Sequence, residues 1–164
     1  MTTPFALLDP TITTDGESVE VRFEQHYDSG AADLWDAVTD PERLARWFAP
    51  VEGRFGVGEA FTICFDDGDV PECRVIECVA PQRFSFEWPH ASGATVVTAE
   101  VRPDGDGSVL VLTHARLGRS QAAGYAAGWD AYLRLLTDHL AGREPQNWWE
   151  HFGAAQKAYA ERLG

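Results

Sequence analysis

Two side chains in this sequence have the type and placement to move a proton: His114 and Glu77. His114 is in phase with Leu110 and Leu112, near the end of what reads as the last strand. If that face lines a cavity, an imidazole stands beside Trp129, where it could orient a ligand or act as a general base. The alternative is a histidine hydrogen-bonded to backbone at a strand end. Glu77 is in phase with Val75 and Val79 and is expected to point inward, where burial would raise its pKa and suit it to acid–base work. The alternative is an ion pair across the sheet with Arg74 or Arg83. A Glu77–His114 pair would be the nearest approach to a catalytic dyad, although nothing in their spacing brings them together. There is no nucleophile elbow and no triad pattern.

The remaining reactive side chains point to bland roles. His26 and His139 are expected at the surface, His90 in a loop, and His151 on the polar side of the final helix. Cys64, Cys73 and Cys78 form no Cys-x-x-Cys, and no two histidines share a metal-ligand spacing, so no metal is expected. On one regular strand Cys73 and Cys78 fall on opposite faces, and only a bulge would change that. Reduced, partly buried thiols are the expectation. Gly53, Gly56 and Gly58 have the wrong spacing for a dinucleotide fingerprint, so no cofactor is expected either.

The aromatic residues are the stronger constellation. Trp35, Trp47, Phe65, Phe86, Trp88 and Trp129 serve either as core or as the lining of an apolar pocket. Together with His114 and Leu133 they are the candidate ligand-binding set.

These residues need a particular set of elements to bring them together. Residues 1–17 lack a period and read as an irregular N-terminal arm. Ser18 to Tyr27 alternates, with Val19, Val21, Phe23 and Tyr27 inward. Ser29 to Phe48 reads as two short helices broken at Thr39, Asp40 and Pro41. Asp40 can cap the second, and Pro41 suits its first position. Short strands follow over Ala60–Asp66, Glu72–Val79, Arg83–Trp88, Ala94–Arg102 and Val109–Ala115. Tight turns at Asp66–Asp69 and Pro103–Gly107 join them into an antiparallel meander of about six or seven strands. Ser120 to Ala141 is a long helix with Trp129, Leu133, Leu136 and Leu140 on its buried stripe. A final helix, Gln146 to Leu163, carries Trp148, Phe152, Ala155 and Tyr159 along one face. Exposed, that face would be an apolar patch soluble monomers seldom carry, so it should dock on its own domain or across a homodimer axis. The dimer through Trp148, Phe152 and Tyr159 is the favoured arrangement.

Bulk properties bound the function. With 164 residues, 45% of them hydrophobic, one domain with one substantial core is expected. The formal charge of −13 would repel a phosphate backbone or an anionic lipid surface, so nucleic acid and membrane are poor partners. No apolar run approaches the length of a membrane span and no N-terminal signal is apparent, which makes a cytoplasmic location the expectation.

Three stretches also carry a family resemblance, covering about residues 18–142. The first is Leu34-Trp35-Asp36-Ala37-Val38-Thr39-Asp40-Pro41 with Leu44, Trp47 and Phe48. The second runs from Val75 to Trp88 through Pro81, Gln82 and Arg83. The third is Leu110 to His114, followed by Gly128, Trp129 and Leu133. Together they resemble the START-like (SRPBCC) proteins, in the branch similar to the heat-shock-protein-90 ATPase activator domain. The resemblance implies an α+β helix-grip fold, in which a curved antiparallel sheet wraps a long C-terminal helix and two short helices follow the first strand. On this reading 1–17 is an arm, 18–142 the START-like domain and 143–164 a helical extension. It implies no single activity, since relatives bind lipids or hormones, cyclise polyketides, or assist a chaperone. The leading expectation is a small hydrophobic molecule bound between sheet and long helix, without a cofactor. The alternatives are a cyclase- or hydratase-type enzyme using His114, and a protein-interaction or chaperone-accessory module.

Overall fold

Alternating runs give the strands of this chain and the Pro- and Gly-punctuated stretches between them give the turns and helix starts. A computed structural model describes residues 7–89 and 93–163, so His90 and the first six residues of the arm lie outside the described residues. The elements are β1 (Thr11–Asp15), β2 (Ser18–Tyr27), α1 (Ala31–Thr39), α2 (Pro41–Trp47), β3 (Val51–Gly53), β4 (Ala60–Ile63), β5 (Glu72–Val79), β6 (Arg83–Trp88), β7 (Thr95–Asp104), β8 (Gly107–Gly118), α3 (Arg119–Leu140) and α4 (Trp148–Leu163). Eight strands form one sheet in the order β1-β2-β8-β7-β6-β5-β4-β3, with every neighbouring pair antiparallel. The fold is α+β and helix-grip, with the curved sheet closed around α3.

The strand count exceeds the expected six or seven because β1 lies where the sequence shows little alternation. β1 belongs to the arm expected to be irregular, and it pairs along its whole length with β2. Gly16 makes the tight turn between them at a φ of 64°, a left-handed conformation that glycine reaches without a Cβ clash. β1 is almost entirely exposed and β3 is only three residues long, so neither contributes much to the core.

Two bulges reset the alternation inside the sheet. Between Val75 and Glu77 the β5–β6 register shifts, leaving Ile76 as an extra residue. Glu77 therefore turns to the outer face of the sheet, contrary to the inward orientation expected from its phase with Val75. There it pairs with Arg83, which also pairs with Glu100. The same shift brings Cys78 to the inner face with Phe84, so Cys73 and Cys78 share a face after all. A second shift lies opposite Val19 and Val21, where Arg116 sits at a φ of 64° and β8 continues to Gly118.

α1 and α2 meet at Asp40. It occupies the N-cap of α2, but its carboxylate makes no capping bond, and the Pro41 ring alone pre-sets the first turn. Arg43 Nη1 ties the pair together through Asp33 Oδ1 at 2.8 Å and Asp36 Oδ2 at 3.0 Å.

α3 is buried on two sides. Trp129, Leu133 and Leu136 face the core, each contributing about 2–3 kcal/mol of apolar burial. On another side α3 receives α4 around Asp130, which is fully buried. Its Oδ1 accepts from Arg134 Nε at 2.9 Å and His151 Nε2 at 2.8 Å; its Oδ2 accepts from Tyr159 Oη–H at 2.6 Å and the Leu8 amide at 2.9 Å. His151 is thus not on the polar side of α4 but in the α3–α4 contact. On the aromatic face of α4 Tyr159 is fully buried, and Trp148 and Phe152 are half-buried. Trp149 remains exposed. Among the described residues no helix is long and apolar enough to cross a membrane.

Candidate functional site

Where the inner face of the sheet meets α1, α2 and α3, the side chains do not fill the space. A chamber of about 210 Å³ remains, lined from the sheet by Phe61, Ile63, Phe84, Phe86, Val97, Ala99, Leu110 and Leu112, and from the helices by Trp35, Val38, Leu44, Trp47 and Trp129. Cys78 and Ala80, both exposed, mark its mouth at the β5–β6 corner. Nearly every lining group is apolar, which is the character of a dry pocket for an apolar ligand.

A second and larger space lies on the other side of Trp129. This open groove, of about 910 Å³, has α3 as its floor, the segments 45–50 and 65–69 as one wall, and α4 as the other. Gly124 and Gly128 leave the floor low: a Cβ added at Gly128 would come no nearer than 3.9 Å to Trp148 Cζ2. Phe65, Trp88, Tyr125, Tyr132, Trp148, Trp149 and Phe152 line it.

Trp47, Phe48 and Trp129 border both spaces and form the partition between them. Phe48 stacks on Trp129 with ring centroids 5.6 Å apart and an interplanar angle of 6°, and meets Tyr132 edge-on at 4.8 Å. Trp47 is pinned in turn, since its Nε1–H donates to the carbonyl of Ala37 at 2.8 Å.

His114 stands behind this partition and lines neither space. Trp129 Nε1 can only donate, and it reaches His114 Nδ1 at 3.0 Å. The imidazole proton must therefore sit on Nε2, which lies 2.7 Å from Thr95 Oγ1 and donates to it. The Thr95 hydroxyl passes its own proton on to the Trp88 carbonyl at 3.0 Å. Burial drives the His114 pKa down from 6.5 to about 3, so the ring is neutral. A neutral imidazole with both nitrogens engaged fixes the orientation of Trp129 and has no lone pair for a substrate. Cys73 is equally unreactive: burial, aided by the charge of Glu72, pushes its thiol up to about 12. Among the described residues no cluster of His, Cys, Asp or Glu could hold a metal ion.

Residues 28–141 match the family model described as Activator of Hsp90 ATPase homolog 1-like protein, more than half of the chain. The chain belongs to that family. No curated protein matches it. Solved structures share its fold. CalU16 from Micromonospora echinospora is 23% identical with a TM-score of 0.79, over 94% of this chain and 97% of that one. The protein encoded by gene BPP1335 from Bordetella parapertussis is 25% identical with a TM-score of 0.75, over 99% of this chain and 95% of that one. DynU16, from the dynemicin biosynthetic locus, is 25% identical with a TM-score of 0.71; 77% of this chain covers 48% of that one.

On this Hsp90-activator-like fold the candidate residues separate. Trp35 and Phe86 line the chamber, Phe65 and Trp88 the groove, and Trp47 and Trp129 both. Leu133 is buried and lines neither, and Glu77 lies on the far side of the sheet from His114. Phe48, Tyr125 and Tyr132 also line these spaces, outside the candidate set, and Trp148, Trp149 and Phe152 line the groove besides packing α4. A signal for part of this was available: Tyr125, Trp129 and Tyr132 share a helical spacing. Asp130 gave no signal, since a carboxylate in mid-helix is usually solvated.

Proposed function

We propose that this protein binds a small apolar molecule in the chamber between sheet and α3, with the aromatic groove as an adjoining subsite beyond Phe48 and Trp129. The observation that carries this reading is the unfilled, apolar chamber at the centre of an otherwise well-packed core. Natural cores rarely keep a void of that size, because each missing contact lowers stability. Membership of the family supports the fold and the place of the cavity; CalU16 and DynU16 support the fold. His114 acts here as a positioning residue for Trp129 rather than as a base, and that weighs against cyclase or hydratase chemistry at this imidazole.

The reading is tested by titrating the protein with alkylbenzenes of increasing size while following tryptophan fluorescence. Trp47 and Trp129 border the chamber, so occupancy should alter their emission, and affinity should rise with ligand size until the chamber is full. Emission unmoved by every member of the series would overturn the reading.

A further inference from the structure

The groove carries charge as well as aromatic surface, and the charge is negative. Asp66, Asp67 and Asp69 stand on the 65–69 wall, all exposed, and among the described residues none of them forms an ion pair. Asp66 and Asp67 lie close enough to Tyr132 for their charges to reinforce the upward pKa shift that burial gives its phenol, and Asp69 acts likewise on Tyr125. At the Tyr132 end the opposite wall presents ring faces. Tyr132 and Trp148 have centroids 5.1 Å apart, Trp148 stacks on Phe152 at 4.7 Å, and Trp149 stands at 85° to Trp148 with its indole exposed to the groove mouth.

Aromatic faces carry negative potential, and carboxylates beside them deepen it. Two basic groups also line the groove. Lys157 lines it from α4. Arg46 lies toward His139, whose pKa it helps to lower. The balance of the groove, like the −13 of the whole chain, favours a cation.

Resting on the apolar-ligand reading above, we propose that the ligand is an aromatic cation, its ring system lying in the groove among Tyr132, Trp148 and Trp149 and its protonated or quaternary nitrogen facing Asp66, Asp67 and Asp69. Charge complementarity selects this class over neutral or anionic aromatics of equal size, whose desolvation in front of three carboxylates would gain nothing in return.

The test compares two probes of one ring system: dansylcadaverine, whose primary amine is protonated at neutral pH, and its N-acetyl derivative, which is neutral. The expected result is that the cationic probe binds about tenfold more tightly at low salt, and that its advantage shrinks as salt is raised. The Asp66→Asn, Asp67→Asn, Asp69→Asn triple variant should lose that advantage and bind the neutral probe as the parent does. Asparagine at 67 keeps the acceptor for the Asp69 amide, so the loop hydrogen bond at 2.9 Å survives the change. Equal binding of the two probes by the parent, or an unchanged preference in the triple variant, overturns the cation inference and leaves the apolar reading standing. Binding of neither probe overturns the cation inference, and the alkylbenzene series then decides the apolar reading.

Discussion

The imidazole of His114 is held between a donor that cannot accept and a hydroxyl that can do both, and this arrangement makes its stability contribution depend on pH. Its folded pKa is about 3 against an ordinary 6.5. Between those values the unfolded chain binds a proton that the native protein does not, so stability is full above about pH 6.5 and falls as pH drops toward 3. We expect His114→Gln to flatten urea-unfolding free energy against pH, removing up to about 1.4 kcal/mol of slope per pH unit in that window. Identical slopes in parent and variant would show that this ring does not carry the effect. The sequence placed His114 correctly beside Trp129, because strand phase and the helical stripe both pointed inward. What it hid was the hydrogen bonding, since no spacing shows that Thr95 and Trp129 meet the same ring.

At the scale of elements, alternation located most of the sheet, and it failed where a bulge inserts one residue. Glu77 reads as inward from its phase with Val75, and the extra residue Ile76 reverses that. The last strand reads to Ala115, and the irregularity at Arg116 carries it on to Gly118. The final helix was legible as amphipathic, but its partner was not, because the decisive group is a buried carboxylate on α3. Tyr159 Oη–H and His151 both donate to Asp130, and the α3–α4 contact forms the back wall of the groove. Tyr159→Phe leaves one carboxylate oxygen short of a donor and should lower stability by about 1–2 kcal/mol. Hydrogen exchange should then accelerate in α4 before it does in the sheet. Uniform acceleration across the chain would mean that α4 is not separately latched.

For the whole molecule, the family resemblance gave the helix-grip architecture and predicted a cavity between sheet and long helix. It did not divide the aromatic residues into two compartments, because that division depends on where the Phe48 ring comes to rest. Once Phe48 stacks on Trp129, the core splits into an apolar chamber and an open, acidic groove. We read the chamber as a binding pocket rather than a packing defect. Ala99 lines it from β7, and a larger side chain there would take up the space without touching the groove. The direct measurement is the affinity of parent and Ala99→Phe for the alkylbenzene that the parent binds most tightly, with the melting temperature of each recorded alongside. Ala99→Phe is expected to lose binding at least tenfold, about 1.4 kcal/mol or more, while its melting temperature is equal or higher. Undiminished affinity in a folded Ala99→Phe protein would contradict it.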